Sequence, residues 1–241
     1  MKHIKVGILG IGNVAVGTYK TLEMNHSKIE RSSGVSIDIV KILNRNPEKD
    51  RGIAVADGVY TQDLADILDN PEIDIVVELI GGIEPATEYM ARALKNGKHV
   101  VTANKAAIAA NGDVLQALAI ENNVMLRFEA SVGGGIPIIR TINESLAGDV
   151  VEEISGILNG TTNYILTKMY EEGWGFDEAL KMAQKLGYAE RNPEADIEGY
   201  DPCRKIAILT AAASGQEVDY EQIPTEGITK SVRHALNHYG I

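Results

Sequence analysis

The stretch HIKVGILGIGNVAVG, residues 3–17, constrains the fold more than any other part of the chain. A β-branched run, Ile4 to Leu9, reads as a strand. It breaks at Gly10 and Gly12, and an amphipathic segment starts at Val14. Gly10, Gly12 and Ala15 keep the G-x-G-x-x-G/A spacing directly between strand and helix, the context a dinucleotide fingerprint requires. Each small residue has its own task. Gly10 permits the tight turn, Gly12 lets the backbone approach a pyrophosphate at the helix N-terminus, and Ala15 allows close packing of helix on strand. Gly10, Gly12, Asn13, Val14 and Ala15 are therefore candidate cofactor contacts. A tight β-to-α turn with no ligand is the alternative, and its place at the head of a βαβ unit favours binding.

The first half continues to alternate short β-branched runs with amphipathic ones. Strands are predicted at Ile4–Leu9, Val35–Leu43, Ile73–Ile80, His99–Thr102 and Val124–Phe128. Helices are predicted around Val14–Met24, Thr61–Leu68, Pro85–Asn96 and Asp113–Glu121, with a polar surface loop over 25–34. This is the pattern of an α/β fold with a Rossmann-type parallel sheet over residues 1–130. After Ala130 a glycine cluster, SVGGGIPIIRTI, leads into a helix, a strand predicted at Val150–Leu158, and further helices. Residues 131–241 are expected to form a second, α+β domain.

Composition narrows the partner. A net charge of −11 with no basic block argues against nucleic acid or an anionic membrane surface. The sequence shows no apolar run near 18 residues and no cleavable signal, and one cysteine, Cys203, makes no internal disulfide. The expectation is a cytoplasmic protein with a small-molecule partner. At the end of the second predicted strand the chain reads KILNRNPEK, with Asn44 and Arg45 where NAD-specific proteins usually offer a carboxylate to the ribose. That favours NADP over NAD, or tolerance of both; Arg45 is also readable as an ordinary surface arginine.

Four further segments have unusual composition: VVTANKAAI at 100–108, EASVGGGIPII at 129–139, GILNGTTNYIL at 156–166 and GYAERNPEADIEGYDPCRK at 187–205. Together with the glycine turn, and in this order over about residues 4 to 210, the chain resembles homoserine dehydrogenase. The resemblance implies reversible NAD(P)-dependent reduction of L-aspartate 4-semialdehyde to L-homoserine, on the path to threonine and methionine, by a homodimer.

Reduction of a carbonyl leaves an alkoxide that needs a positioned acid. By resemblance that acid is Lys205, with Asp201 four residues before it and so on the same helical face. Asp-Pro is also a good helix start, so Asp201 could merely cap the helix. Pro202 departs from the small aliphatic residue of the family and leaves that start open. Lys105, in TANK, matches a family lysine near nicotinamide and substrate, and two lysines brought together would depress one another's pKa.

Glu190 and Asp196 match acids that would receive the substrate's ammonium group; Glu194 and Glu198 are read as solvated. In GILNGTTNYIL, Thr161 or Thr162 is expected to cap a helix, with Gly160 and Thr161 meeting the substrate carboxylate. By resemblance alone, main-chain carbonyls of Glu129, Val132, Gly134 and Ile136 would hold a monovalent cation such as Na+, although the glycines could equally serve a hinge.

The family's chain is longer. The second domain is therefore expected to be incomplete relative to it and to lack an amino-acid-sensing module, and a nucleotide-binding protein that has lost turnover is the competing reading. A semialdehyde enzyme with Cys203 as nucleophile is disfavoured, because acidic neighbours would raise the thiol pKa. His234 and His238, four apart, are weak metal ligands without further partners.

Overall fold

A computed structural model describes residues 1–46 and 48–229 of the chain, so His234 and His238 lie outside the described residues. Those up to Pro137 form one compact unit and those from Ile138 a second.

The first unit is built on six parallel strands. β1 (Lys2–Leu9) pairs with β2 (Val35–Leu43) on one side and with β4 (Ile75–Glu78) on the other; β3 (Tyr60–Thr61) lies outside β2, and β5 (His99–Thr102) and β6 (Leu126–Arg127) lie beyond β4. The order β3-β2-β1-β4-β5-β6 reverses direction between β1 and β4. Open parallel sheets bind ligands at such a reversal, beyond the carboxyl ends of the strands. β1 becomes more buried along its length and ends in a core of Val6, Ile8, Ile11, Ala15 and Ile42. Helices α1 (Asn13–Ser33), α2 (Ala65–Leu68), α3 (Ala86–Lys95) and α4 (Lys105–Glu121) make the crossovers.

Three helices differ from expectation. α2 covers only Ala65–Leu68, because Thr61, read as its start, pairs with Leu43 in β3. α1 runs on to Ser33 through the stretch read as a surface loop, because its polar residues support one another: the Asn25 amide donates to the Thr21 carbonyl and His26 lies 3.7 Å from Glu30. Gly34, in the left-handed region at φ 75°, closes it by donating to the Glu30 carbonyl. α4 starts at Lys105, earlier than expected, because the side chain of Asn104 accepts the Ala107 amide and caps it.

Glu78, the last residue of β4, is fully buried. One carboxylate oxygen accepts the amides of Ile80 (2.7 Å) and Gly81 (3.2 Å), and the other accepts the Thr102 hydroxyl at 2.6 Å. The Thr102 oxygen in turn accepts the Asn104 amide at 2.9 Å, and the Asn104 side chain donates to the Gly82 carbonyl at 2.7 Å. One buried charge thus ties the loops after β4 and β5 together at the sheet's carboxyl edge, with every contact charge-assisted or in relay.

The second unit is helical among the described residues. α5 (Ile138–Arg140) passes into a π turn, Thr141–Ser145, and is followed by α6 (Gly160–Glu172), α7 (Phe176–Lys185), α8 (Glu194–Ile197) and α9 (Tyr200–Ser214). Ile165 of α6 packs with Ala179 and Ala183 of α7 and with Ala189, under Tyr164, Trp174 and Phe176. The strand expected over Val150–Leu158 is not formed. A strand requires a hydrogen-bonded neighbour, the described part of this unit contains none, and Val150 and Ile157 lie exposed. Among the described residues no helix is long and apolar enough to cross a membrane.

Glu78→Ala should destabilise the first unit by about 1–3 kcal/mol for each donor left without a partner. A lowered urea midpoint at unchanged slope is the expected reading; an unchanged midpoint would show that the carboxylate does not hold these loops.

Candidate active site

The β1–α1 turn has the shape its spacing implies. Gly10 sits at φ 95°, and a Cβ there would stand 3.1 Å from the Leu79 carbonyl oxygen, so a side chain is excluded by both conformation and space. A Cβ on Gly12 would meet nothing within 4 Å. The protein's own packing therefore does not require glycine at that position, and the space lies in front of a helix whose N-terminus has no side-chain cap. First-turn amides of a 21-residue helix, aligned with its dipole, suit an anion there. Ala15 is fully buried against the sheet, while Asn13 and Val14 are exposed.

At the end of β2, Asn44 is 1% exposed. Its Oδ1 accepts the Asn46 amide at 3.1 Å, whereas its buried Nδ2 has no hydrogen-bond partner among the described residues. The Nε of Arg51, a residue the sequence reading passed over, is in the same condition, and Arg45 is exposed. A buried donor left unpaired carries a desolvation cost that a ligand acceptor would offset. This chemistry fits the adenosine end of a dinucleotide. Lys105 opens α4 directly after the Glu78–Thr102–Asn104 relay, at the carboxyl edge of the sheet.

In the second unit, the Lys205 ammonium lies 2.6 Å from Asp201 Oδ2, one helical turn before it, with side-chain exposures of 17% and 3%. Its nitrogen also donates to the Leu158 carbonyl at 2.7 Å. An ammonium has three N–H bonds, so this arrangement leaves one for a ligand. Asp201 does not cap its helix. α9 begins at Tyr200 after Gly199, which is left-handed at φ 84°, and its N-cap makes no side-chain bond. Pro202 falls in the first turn, where no backbone N–H is needed, and the first amide bond is Cys203 to the Gly199 carbonyl at 3.0 Å. The proline leaves the Asp201–Lys205 geometry intact.

Sequence reasoning missed Asn159. Its Nδ2 donates to Asp201 Oδ2 at 2.8 Å and to Asp196 Oδ1 at 2.7 Å, joining two acids that the sequence could assign only separately. Asn159, and neither threonine, caps α6, accepting the Thr162 amide at 2.8 Å. The Thr161 hydroxyl instead donates to the Tyr188 carbonyl at 2.7 Å, beside exposed Gly160. Glu190 and Glu194 are exposed. Glu198, read as solvated, is half-buried and accepts the Thr229 hydroxyl at 2.8 Å. Cys203 is buried with its Sγ 3.4 Å from the Tyr220 carbonyl oxygen, a poor position for a nucleophile.

Glu129 to Ile136 belong to the first unit, starting in a short 3-10 turn, Glu129–Ser131. The Glu129 carbonyl accepts the Val132 amide at 3.4 Å, Gly134 is left-handed at φ 58°, and Ile136 is exposed. Among the described residues no cluster of three His, Cys, Asp or Glu side chains could hold a metal.

The strand order, the glycine turn and the carboxyl-edge relay define a Rossmann-type nucleotide-binding protein, here joined to a helical unit in which a half-buried lysine pairs with a buried aspartate. Residues 10–129 match the family model "Homoserine dehydrogenase, NAD binding domain", and residues 137–239 match "Homoserine dehydrogenase". The chain is 44% identical over 230 residues to homoserine dehydrogenase of Bacillus subtilis (strain 168), covering 95% of this chain and 53% of the relative. Among solved structures it resembles a homoserine dehydrogenase from Thiobacillus denitrificans, with a TM-score of 0.90, 47% identity, and 98% of this chain and 56% of the other covered. It also resembles a hyperthermophilic archaeal homoserine dehydrogenase in complex with NADPH, with a TM-score of 0.81, 29% identity, and 95% and 74% covered. The chain belongs to the homoserine dehydrogenase family. It spans about half the length of the curated relatives it matches.

Because a Cβ at position 12 meets no protein atom, Gly12→Ala should leave the melting temperature unchanged and weaken NADPH binding, as read by nucleotide fluorescence. Undiminished affinity would remove the turn from the nucleotide site.

Proposed function

We propose that the chain carries the catalytic machinery for reversible, NAD(P)-dependent interconversion of L-aspartate 4-semialdehyde and L-homoserine. The observation that supports this best is the Lys205–Asp201 pair, its lysine fixed by the Leu158 carbonyl and its buried acid by the Asn159 amide. A bound nicotinamide supplies the hydride chemistry.

The chain's own residues handle the proton and the substrate's two charged ends. In the reducing direction Lys205 Nζ gives a proton to the terminal oxygen as the carbonyl carbon gains its hydride. In the oxidising direction the free amine takes the hydroxyl proton while the same carbon loses a hydride. Asp201 holds that nitrogen in place. Lys105, which opens α4 at the carboxyl edge of the first unit's sheet, is proposed as a catalytic lysine and cofactor contact.

Asp196 and Glu190 receive the substrate ammonium, and the first-turn amides at Gly160 and Thr161 receive its carboxylate. NADP is favoured over NAD, since Asn44 and Arg45, and no acid, stand at the tip of β2, and the buried Asn44 Nδ2 lacks a partner among the described residues. Carbonyls of Glu129, Val132, Gly134 and Ile136 are proposed to hold a monovalent cation. The division of labour is a nucleotide domain over residues 1–130 and a substrate and dimerisation domain over 131–241, in a cytoplasmic homodimer serving threonine and methionine synthesis.

L-Homoserine and NADP should give rising absorbance at the reduced nicotinamide band, and Lys205→Met should lower kcat by roughly 10²- to 10⁴-fold. Equal rates would remove Lys205 as the acid. Binding of NADPH without turnover by the unaltered chain would contradict the enzyme reading.

A further inference from the structure

Asn159 makes four side-chain hydrogen bonds from a position only 7% exposed. Its Oδ1 accepts the Thr162 amide at 2.8 Å and the Thr162 hydroxyl at 3.1 Å; its Nδ2 donates to Asp196 at 2.7 Å and to Asp201 at 2.8 Å. An amide nitrogen has two hydrogens, and each is given to a different carboxylate. The orientation is determined by the partners. Turned over, the carbonyl oxygen would face two carboxylate oxygens and the NH2 group would face a backbone N–H.

Capping α6 requires only the oxygen, a task that aspartate or serine performs about as well. The nitrogen is superfluous to the cap. It reaches acids on two different elements, Asp196 on α8 and Asp201 on α9. Both carboxylate oxygens lie within hydrogen-bond reach of one nitrogen, so they stand within two hydrogen-bond lengths of each other, where like charges repel. A neutral donor between them offsets that repulsion without adding a charge. The preceding residue, Leu158, gives its carbonyl to Lys205, so two successive residues hold both members of the Lys205–Asp201 pair.

We infer that Asn159 is a positioning residue that braces Asp196 against the Asp201–Lys205 pair, so that the acid facing the substrate's ammonium group and the pair moving the proton keep one geometry. Its consequence for turnover rests on the function proposed above; the brace itself rests on the geometry alone.

The test compares the unaltered chain with Asn159→Ser, Asn159→Asp, and Asn159→Asp combined with Asp196→Asn. Both single substitutions keep the helix cap and lose the donor, and the double variant restores a donor–acceptor pair with its direction reversed. Asn159→Asp should melt at lower temperature than the unaltered chain, and the double variant should recover part of the loss. Asn159→Ser should lower kcat on the order of 10- to 100-fold through misplacement of the pair, raise KM for homoserine, and leave NADPH affinity unchanged.

If both single variants match the unaltered chain in melting temperature and kinetics, Asn159 is a cap only and the inference fails. It fails also if the double variant recovers nothing, or if the melting temperature falls while kcat and KM stay constant. An unaltered chain that binds NADPH but does not turn over would contradict the enzyme reading, and the melting series would still decide the brace.

Discussion

The ion pair between Lys205 and Asp201 is the interaction on which the chemistry proposed for the second unit depends. Asp201 is buried and Lys205 half-buried, and such a pair is stable only where further hydrogen bonds complete it. Here the completion is local: the Leu158 carbonyl meets the lysine, and the Asn159 amide meets the aspartate while also capping α6. Removing one member of a buried pair typically costs about 3–5 kcal/mol, because the other is left uncompensated. The start of α6, the start of α9 and the short helix α8 are therefore held together by polar contacts, beside the apolar cluster that packs α6 on α7.

The first unit solves a similar problem with one buried carboxylate. Glu78 satisfies the loop after β4 through two amides and reaches the loop after β5 through Thr102, and Asn104 extends the relay to the cap of α4 and to Lys105. Both loops leave the sheet on the carboxyl side, beside the reversal of strand order between β1 and β4. Gly10 is required by backbone conformation and by the Leu79 carbonyl, whereas a Cβ on Gly12 would meet no protein atom within 4 Å. One glycine thus serves the fold, and the other leaves room for a ligand.

Much of this was legible in the sequence, for physical reasons. The sheet announces itself through alternating β-branched runs, and the glycine turn fixes its own position between strand and helix. The four-residue spacing of Asp201 and Lys205 places them on one helical face whatever the tertiary context. Asn159 was not legible, because the cap was expected at Thr161 or Thr162, and its link to two acids exists only once α8 and α9 are packed beside it. Glu78 was hidden for a related reason: it falls inside the run predicted as a strand to Ile80, and its task exists only once the loops after β4 and β5 meet around it. Val150–Leu158 misled in the opposite sense, since β propensity cannot form a strand without a neighbour to pair with, and the described residues of the second unit offer none. The polar tail of α1 misled because its i,i+4 contacts lie on the surface, outside any apolar periodicity.

In the function proposed above, this chain moves a hydride from the carbinol carbon of homoserine while Lys205 takes the hydroxyl proton. The most direct measurement incubates the chain with NADP and L-homoserine deuterated at that carbon, then reads the reduced nucleotide by mass spectrometry. The account predicts one deuterium in the reduced nucleotide. Reduced nucleotide without deuterium, or bound nucleotide that stays oxidised, would contradict it.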